Sequence, residues 1–135
     1  MKANINFSKI IVIMSFFFFF ISCGASMPKG EEWLNSKTES AEINIAGTWM
    51  SPEWGTAKLN QEGKDVTGRL GDYPVKGVVS GNMVYLLMYS GGSVHYTAKL
   101  EPLDEKTLKG SYAKYTIIEE KNEHTYIRPM TLIRE

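Results

Sequence analysis

From Ala46 to the C-terminus, no link between apolar runs is long enough to carry a crossover. Eight short runs of β-type residues stand out: about Ala46–Met50, Gly55–Asn60, Asp65–Leu70, Tyr73–Val79, Asn82–Tyr89, Val94–Glu101, Thr107–Tyr115 and Tyr126–Arg134. A parallel pair needs a connection of a dozen or more residues, so consecutive strands here must be antiparallel neighbours. Glu62-Gly63, Gly71-Asp72, Ser80-Gly81 and Gly91-Gly92 offer the positive φ that tight hairpins require. Pro102 to Asp104 makes a longer turn, and Glu119 to His124 makes a wider, charged loop. A meander of eight strands avoids two exposed edges by closing on itself. The expectation is an all-β fold: a small antiparallel up-and-down meander barrel of about eight strands, or a curled sheet that nearly closes.

Three of the runs share the form apolar-x-Gly-x-apolar: Val66-Thr67-Gly68-Arg69-Leu70, Val75-Lys76-Gly77-Val78-Val79 and Leu108-Lys109-Gly110-Ser111-Tyr112. Period-2 alternation puts each glycine on the face of its apolar flanks. Glycine inside a strand costs stability unless tight coiling, or room for a ring opposite, offsets it. The same alternation assigns Ala57, Leu59, Val66, Leu70, Val75, Val79, Tyr96, Leu100, Leu108, Tyr112, Met130 and Leu132 to the interior. An eight-stranded barrel is just wide enough to be packed solid or to hold one small ligand.

One run breaks the alternation. Met83-Val84-Tyr85-Leu86-Leu87-Met88-Tyr89 is apolar on both faces, whereas an antiparallel strand with one wet face alternates cleanly. Val94, Tyr96, Ala98 and Leu100 do so against His95, Thr97, Lys99 and Glu101, which places His95 outward. Either Met83-Tyr85-Leu87-Tyr89 or Val84-Leu86-Met88 must therefore meet something outside the barrel. The candidates are the preceding segment with Trp33, a second protomer, a protein partner or a bilayer. Met and Tyr together suit an adaptable contact surface.

The N-terminus is of another kind. Lys2 and Lys9 precede Ile10 to Ile21, twelve residues with only Ser15 polar. That run suits a secretory signal and is short of the ~20 residues of a spanning helix. Phe20-Ile21-Ser22-Cys23 follows, and it resembles the lipobox of bacterial lipoproteins, with Phe20 where Leu is usual. The resemblance implies cleavage before Cys23, lipid on that cysteine and anchoring to a membrane in the bacterial cell envelope. Two or more acyl chains convert reversible binding into stable anchoring. Gly24 stands where an Asp would retain a Gram-negative lipoprotein at the inner membrane, so the resemblance implies the outer membrane. An ordinary secretory signal with an incidental cysteine is the alternative the residues leave. The chain then divides into a signal peptide (1–22), a lipidated flexible tether (23–44) in which Trp33 and Leu34 dock or start one helical turn, and a barrel domain (45–135).

Ala46-Gly47-Thr48-Trp49 is similar to the Gly-x-Trp start of lipocalins and the Gly-Thr-Trp start of avidins, the calycin group. The resemblance implies that Trp49 plugs one end of the barrel under an arginine of the last strand, Arg128 or Arg134. Such a stack contributes ~0.5–2 kcal/mol. Ser51 and Leu70 stand where avidins carry ligand-facing polar residues, so biotin binding does not transfer.

Chemistry is sparse. Cys23 is the one cysteine, and His95 and His124 are the two histidines, so no metal-ligand spacing of Cys and His exists and no cofactor is expected. No nucleophile motif or phosphate loop occurs. Glu119-Glu120 falls in a charged loop, where solvated carboxylates are the plain expectation, and no enzyme activity is assigned. After the two lysines of the signal, 13 basic and 15 acidic side chains remain without clustered Lys or Arg, which disfavours nucleic acid. Two functions remain open: a protein-interaction or inhibitor-like module with an envelope protein partner, and a carrier of a small hydrophobic ligand. Cys23→Ser should abolish incorporation of a metabolic fatty-acid probe and release the protein or leave it as precursor. Continued labelling of that variant would refute the lipoprotein reading.

Overall fold

Alternating runs become strands with one wall facing in, and the structure bears this out. It is a computed structural model that describes residues 29–120 and 122–135; Cys23 and the signal segment lie outside the described residues. A helix, α1 (Lys29–Asn35), precedes eight strands: β1 (Gly47–Ser51), β2 (Gly55–Glu62), β3 (Asp65–Leu70), β4 (Tyr73–Ser80), β5 (Met83–Ser90), β6 (Ser93–Asp104), β7 (Thr107–Lys114) and β8 (Ile127–Arg134). A 3-10 turn, Ile118–Glu120, lies between β7 and β8. The strands form one closed up-and-down barrel, each paired antiparallel with its sequence neighbour. Closure rests on β1 and β8, where Trp49 opposes Arg134 and Met50 opposes Ile133.

Every residue assigned to the interior from alternation lies in a single core cluster, Tyr96 at its margin. The three strand glycines have the role that tight coiling requires. Gly68 opposes Leu59, Gly77 opposes Leu86 and Gly110 opposes Leu100. A Cβ on Gly68 would collide with the Lys58 carbonyl, on Gly77 with the Tyr85 carbonyl and on Gly110 with the Lys99 carbonyl. Absence of a side chain lets neighbouring backbones approach closely enough to bend so small a barrel.

An antiparallel meander puts alternate turns at opposite ends. The β1–β2, β3–β4 and β5–β6 turns and the β7–β8 segment form one end, here the rim; the other turns form the base. At the base the buried Trp49 donates its indole N–H to the Ile45 carbonyl at 2.9 Å. The Arg134 guanidinium lies 4.3 Å from the Trp49 ring centre and donates to the carbonyls of Ala46 and Asn44. Arg128 does not take part. Its guanidinium lies over the Tyr126 ring at the rim, 4.4 Å away, because β8 enters the barrel there. Also at the rim, Trp54 packs edge-on against Tyr73, Tyr96 and Tyr112 at 4.9–5.2 Å between ring centres. Edge-to-face contacts of this kind contribute ~0.5–1.5 kcal/mol each beyond burial.

The segment expected as a flexible tether is folded from Lys29 onward. Trp33 and Leu34 are buried, the helix lies on the outer wall, and the chain then descends to the base. There Ala41 bridges Gly81, the Gly81 amide donates to Ser40 and the Glu42 amide donates to Gly81. A second correction concerns β6. A register shift after Met88 pairs Tyr89 with Val94 and Met88 with Tyr96. The bulge leaves His95 as the extra residue and turns Val94 to the outer wall.

Gly110→Ala should destabilise the barrel by ~1–3 kcal/mol through overpacking against backbone. Trp49→Ala should cost ~3–5 kcal/mol, and Ser111→Ala little. Midpoints of urea unfolding read all three, and a neutral Gly110→Ala would show that the strands do not need that close approach.

Candidate interaction surfaces

The doubly apolar strand is the natural place to look for a site. Its inward face is Val84, Leu86 and Met88, packed in the barrel core. Its outward face is Met83, Tyr85, Leu87 and Tyr89, and that face is covered by the protein itself. From one side comes α1. Trp33 meets Tyr85 edge-on at 5.4 Å, and Gly30 sits where a Cβ would lie 3.1 Å from Leu87. From the other side come Ile117 and Ile118, joined on the wall by Val78 and Ala113. Thr97 fixes that second cover: its hydroxyl donates to the Thr116 carbonyl at 2.7 Å and accepts from the Ile118 amide at 2.8 Å.

Glu119 locks the two covers together. Its carboxylate accepts from the Trp33 indole N–H at 2.7 Å and from Lys37 at 2.5 Å. Lys99 of the barrel wall reaches its other oxygen at 3.3 Å. Partial burial alone would raise the Glu119 pKa. The hydrogen bonds from Lys37 and Trp33 and the charges of Lys37 and Lys99 together outweigh it, and hold the carboxyl at about 2. The expected solvated carboxylate is thus an anchor, while Glu120 pairs with Lys29 on the surface. Lys37 also lies 4.6 Å from the Tyr85 ring centre. The adjacent apolar pairs Trp33-Leu34 and Ile117-Ile118, each stranded in polar sequence, were the signal for this arrangement; nothing marked Glu119 among its acidic neighbours.

Beside the helix start, a groove of about 500 Å³ opens between Gly30, Tyr89, Val94, Tyr115 and Ile117. The described residues expose five large apolar side chains: Met50, Leu103, Tyr115, Tyr126 and Ile133. Met50 and Ile133 are cross-strand partners on the β8–β1 wall, and Ile133 also opposes Thr107. Leu103 is 67% exposed in the irregular β6–β7 hairpin. This wall is across the barrel from α1. Tyr115 and Tyr126 stand at the rim.

His95 is half-buried rather than outward and free. Its ring packs against Tyr115 at 5.1 Å, and its Nδ1, like the Trp54 indole nitrogen, is buried with no hydrogen-bond partner in the protein. Burial, reinforced by the neighbouring Tyr73, raises the Tyr96 pKa. These groups form a packed aromatic cluster, and no group of three or more His, Cys, Asp or Glu among the described residues is placed to hold a metal ion. Comparison with protein-family models, curated proteins and solved structures finds no match to this chain.

Because the folded pKa of Glu119 is depressed, its contribution is present above the unfolded value near 4.5 and lost as pH falls toward about 2. The wild type should lose thermal stability across that window more steeply than Glu119→Gln. Equal slopes in a pH series of melting curves would refute the anchoring role.

Proposed function

We propose that the chain is a lipid-anchored cell-envelope protein of non-enzymatic type, held at the outer membrane through Cys23, whose barrel is an inhibitor-like protein-interaction module. One observation carries this reading. The barrel interior is filled by side chains from all eight strands and stoppered by rings at both ends, while apolar side chains stay uncovered on the β8–β1 wall and the β6–β7 hairpin. The outward face of β5, for which the sequence left both self-coverage and a partner open, is occupied by α1 and the Ile117-Ile118 pair, so the proposed contact moves to Met50, Ile133 and Leu103. The buried centre of a protein interface is more apolar than the surface around it and is enriched in Met. Rigid strands hold Met50 and Ile133 in place, and the hairpin carries Leu103 outward.

A carrier role is the second reading, and the groove beside α1 favours it. Tyr89, Val94 and Ile117 give that groove an apolar lining, so a small hydrophobic ligand would lie outside the lumen.

A photo-crosslinking residue in place of Leu103 or Ile133 should give a discrete protein adduct in intact cells, and the same probe at Asn60 should not. Met50→Lys should weaken the Ile133 adduct severalfold. No adduct above the Asn60 level, together with a stoichiometric lipid in organic extracts that disappears in Val94→Trp, would replace the interaction module with the carrier.

A further inference from the structure

The described chain begins at Lys29, and Lys29 is at the rim. Its ammonium pairs with Glu120 at 2.5 Å, and it borders the groove formed with Gly92, Ser93 and Tyr115. From there α1 runs down the wall, and the Lys64 ammonium, in the β2–β3 turn at the base, donates to the Lys37 carbonyl. Direction is therefore fixed by the fold: chain outside the described residues leaves from the rim.

The leash is short. Gly24, Ala25, Ser26, Met27 and Pro28 separate Cys23 from Lys29, and six Cα steps span at most about 20 Å when fully extended. A lipid on Cys23 must hold the Lys29 edge of the rim within that reach of the bilayer.

The rim carries the side chains that such a position suits. Tyr115 is 68% exposed and Tyr126 is 46% exposed. Each ring has a cation beside it: Lys114 lies 5.1 Å from the Tyr115 ring centre and Arg128 lies 4.4 Å from that of Tyr126. Tyrosines with neighbouring Lys or Arg are the composition of membrane–water interfaces, where the ring enters the headgroup layer and the cation meets phosphate. Tyr115 is also the one non-glycine among the described residues with positive φ, at 61°. That conformation is disfavoured for an aromatic residue, yet it is pinned by the Tyr115 amide donating to the His95 carbonyl at 2.8 Å. Behind the Tyr126 ring stand Tyr112 and then Trp54, and behind the Tyr115 ring stands His95.

We infer that the rim, through Tyr115 and Tyr126, rests on the headgroup layer of the membrane to which Cys23 is anchored, so that the base and the Leu103 hairpin point away from it. The inference rests on the lipid-anchor reading. Acidic groups share the rim, Asp72 and Glu123 among them, so the rings rather than net charge supply the contact.

The test uses the full lipidated protein in phosphatidylethanolamine–phosphatidylglycerol vesicles that carry a headgroup nitroxide. Acylation occupies the only natural cysteine, so Ser93→Cys at the rim and Glu105→Cys at the base each take one environment-sensitive fluorophore. Intact mass first establishes acyl chains on Cys23. Quenching should be severalfold stronger at position 93 than at 105, and Tyr115→Ser with Tyr126→Ser should bring position 93 down to the level of 105. Tyr115→Trp with Tyr126→Trp should keep the quenching at position 93, a check that does not depend on losing the rings. Equal quenching at both positions of an acylated protein overturns the inference and leaves the lipid anchor standing. A mass without acyl chains overturns both. A position-93 reporter that is free on vesicles but shielded in native envelopes means that the rim binds a protein instead, and also overturns it.

Discussion

The Arg134 guanidinium lies over the Trp49 indole and donates to two carbonyls of the segment leading into β1. On that contact depends the difference between a barrel and an open sheet. Every other strand junction is a ladder of six or more residue pairs or a tight hairpin, whereas β1 and β8 share two. The guanidinium is suited to the task because it is planar, always charged and able to stack while it donates in its own plane. Arg134 also explains why a buried tryptophan can sit at an end of the barrel, since the ring is roofed by a group that keeps water off its face.

Closure fixes which face of each strand is internal, and that in turn forces a cover for β5. With Val84, Leu86 and Met88 inside, Tyr85 and Leu87 have no polar option outside. Two segments far apart in sequence supply the cover, and Glu119 ties them across 86 residues through the Trp33 bond. The outer layer is thus a small second core on one wall, and the opposite wall, with Met50 and Ile133, stays bare.

Strands and interior were legible because period-2 alternation and short links admit few arrangements; β3 has the same bounds in sequence and structure. The strand glycines were legible for the same reason, as a residue that weakens a strand implies a compensating approach. The outer layer was not. A seven-residue helix with Glu31 and Glu32 in its first turn has no sustained periodicity, and its stability comes from Trp33 and Leu34 meeting a wall that only the folded barrel creates. The position of Val94 was misread because a bulge inverts the facing of every residue on one side of it, and no residue type announces a bulge at His95. Arg128 and Arg134 were equivalent in sequence; the direction in which β8 crosses the barrel separated them. The cysteine motif falls at residues 20 to 23, outside the described residues.

The two-pair seam has a consequence for the order of events when the chain folds. Seven of the eight strand junctions join neighbours in sequence, so each hairpin can form as soon as its two strands exist. The eighth must bring Trp49 to Arg134, 85 residues later, at a loop-closure entropy that grows only as the logarithm of that span. Local pairing leads us to expect that the curled meander assembles first and the seam shuts last, when the final strand becomes available. Until then β1 and β8 are free edges carrying Met50 and Ile133, and a second copy of the chain offers the same two edges in the same state. Local hairpin geometry makes the approach to closure fast, and speed is the protection this topology has against pairing with the wrong strand.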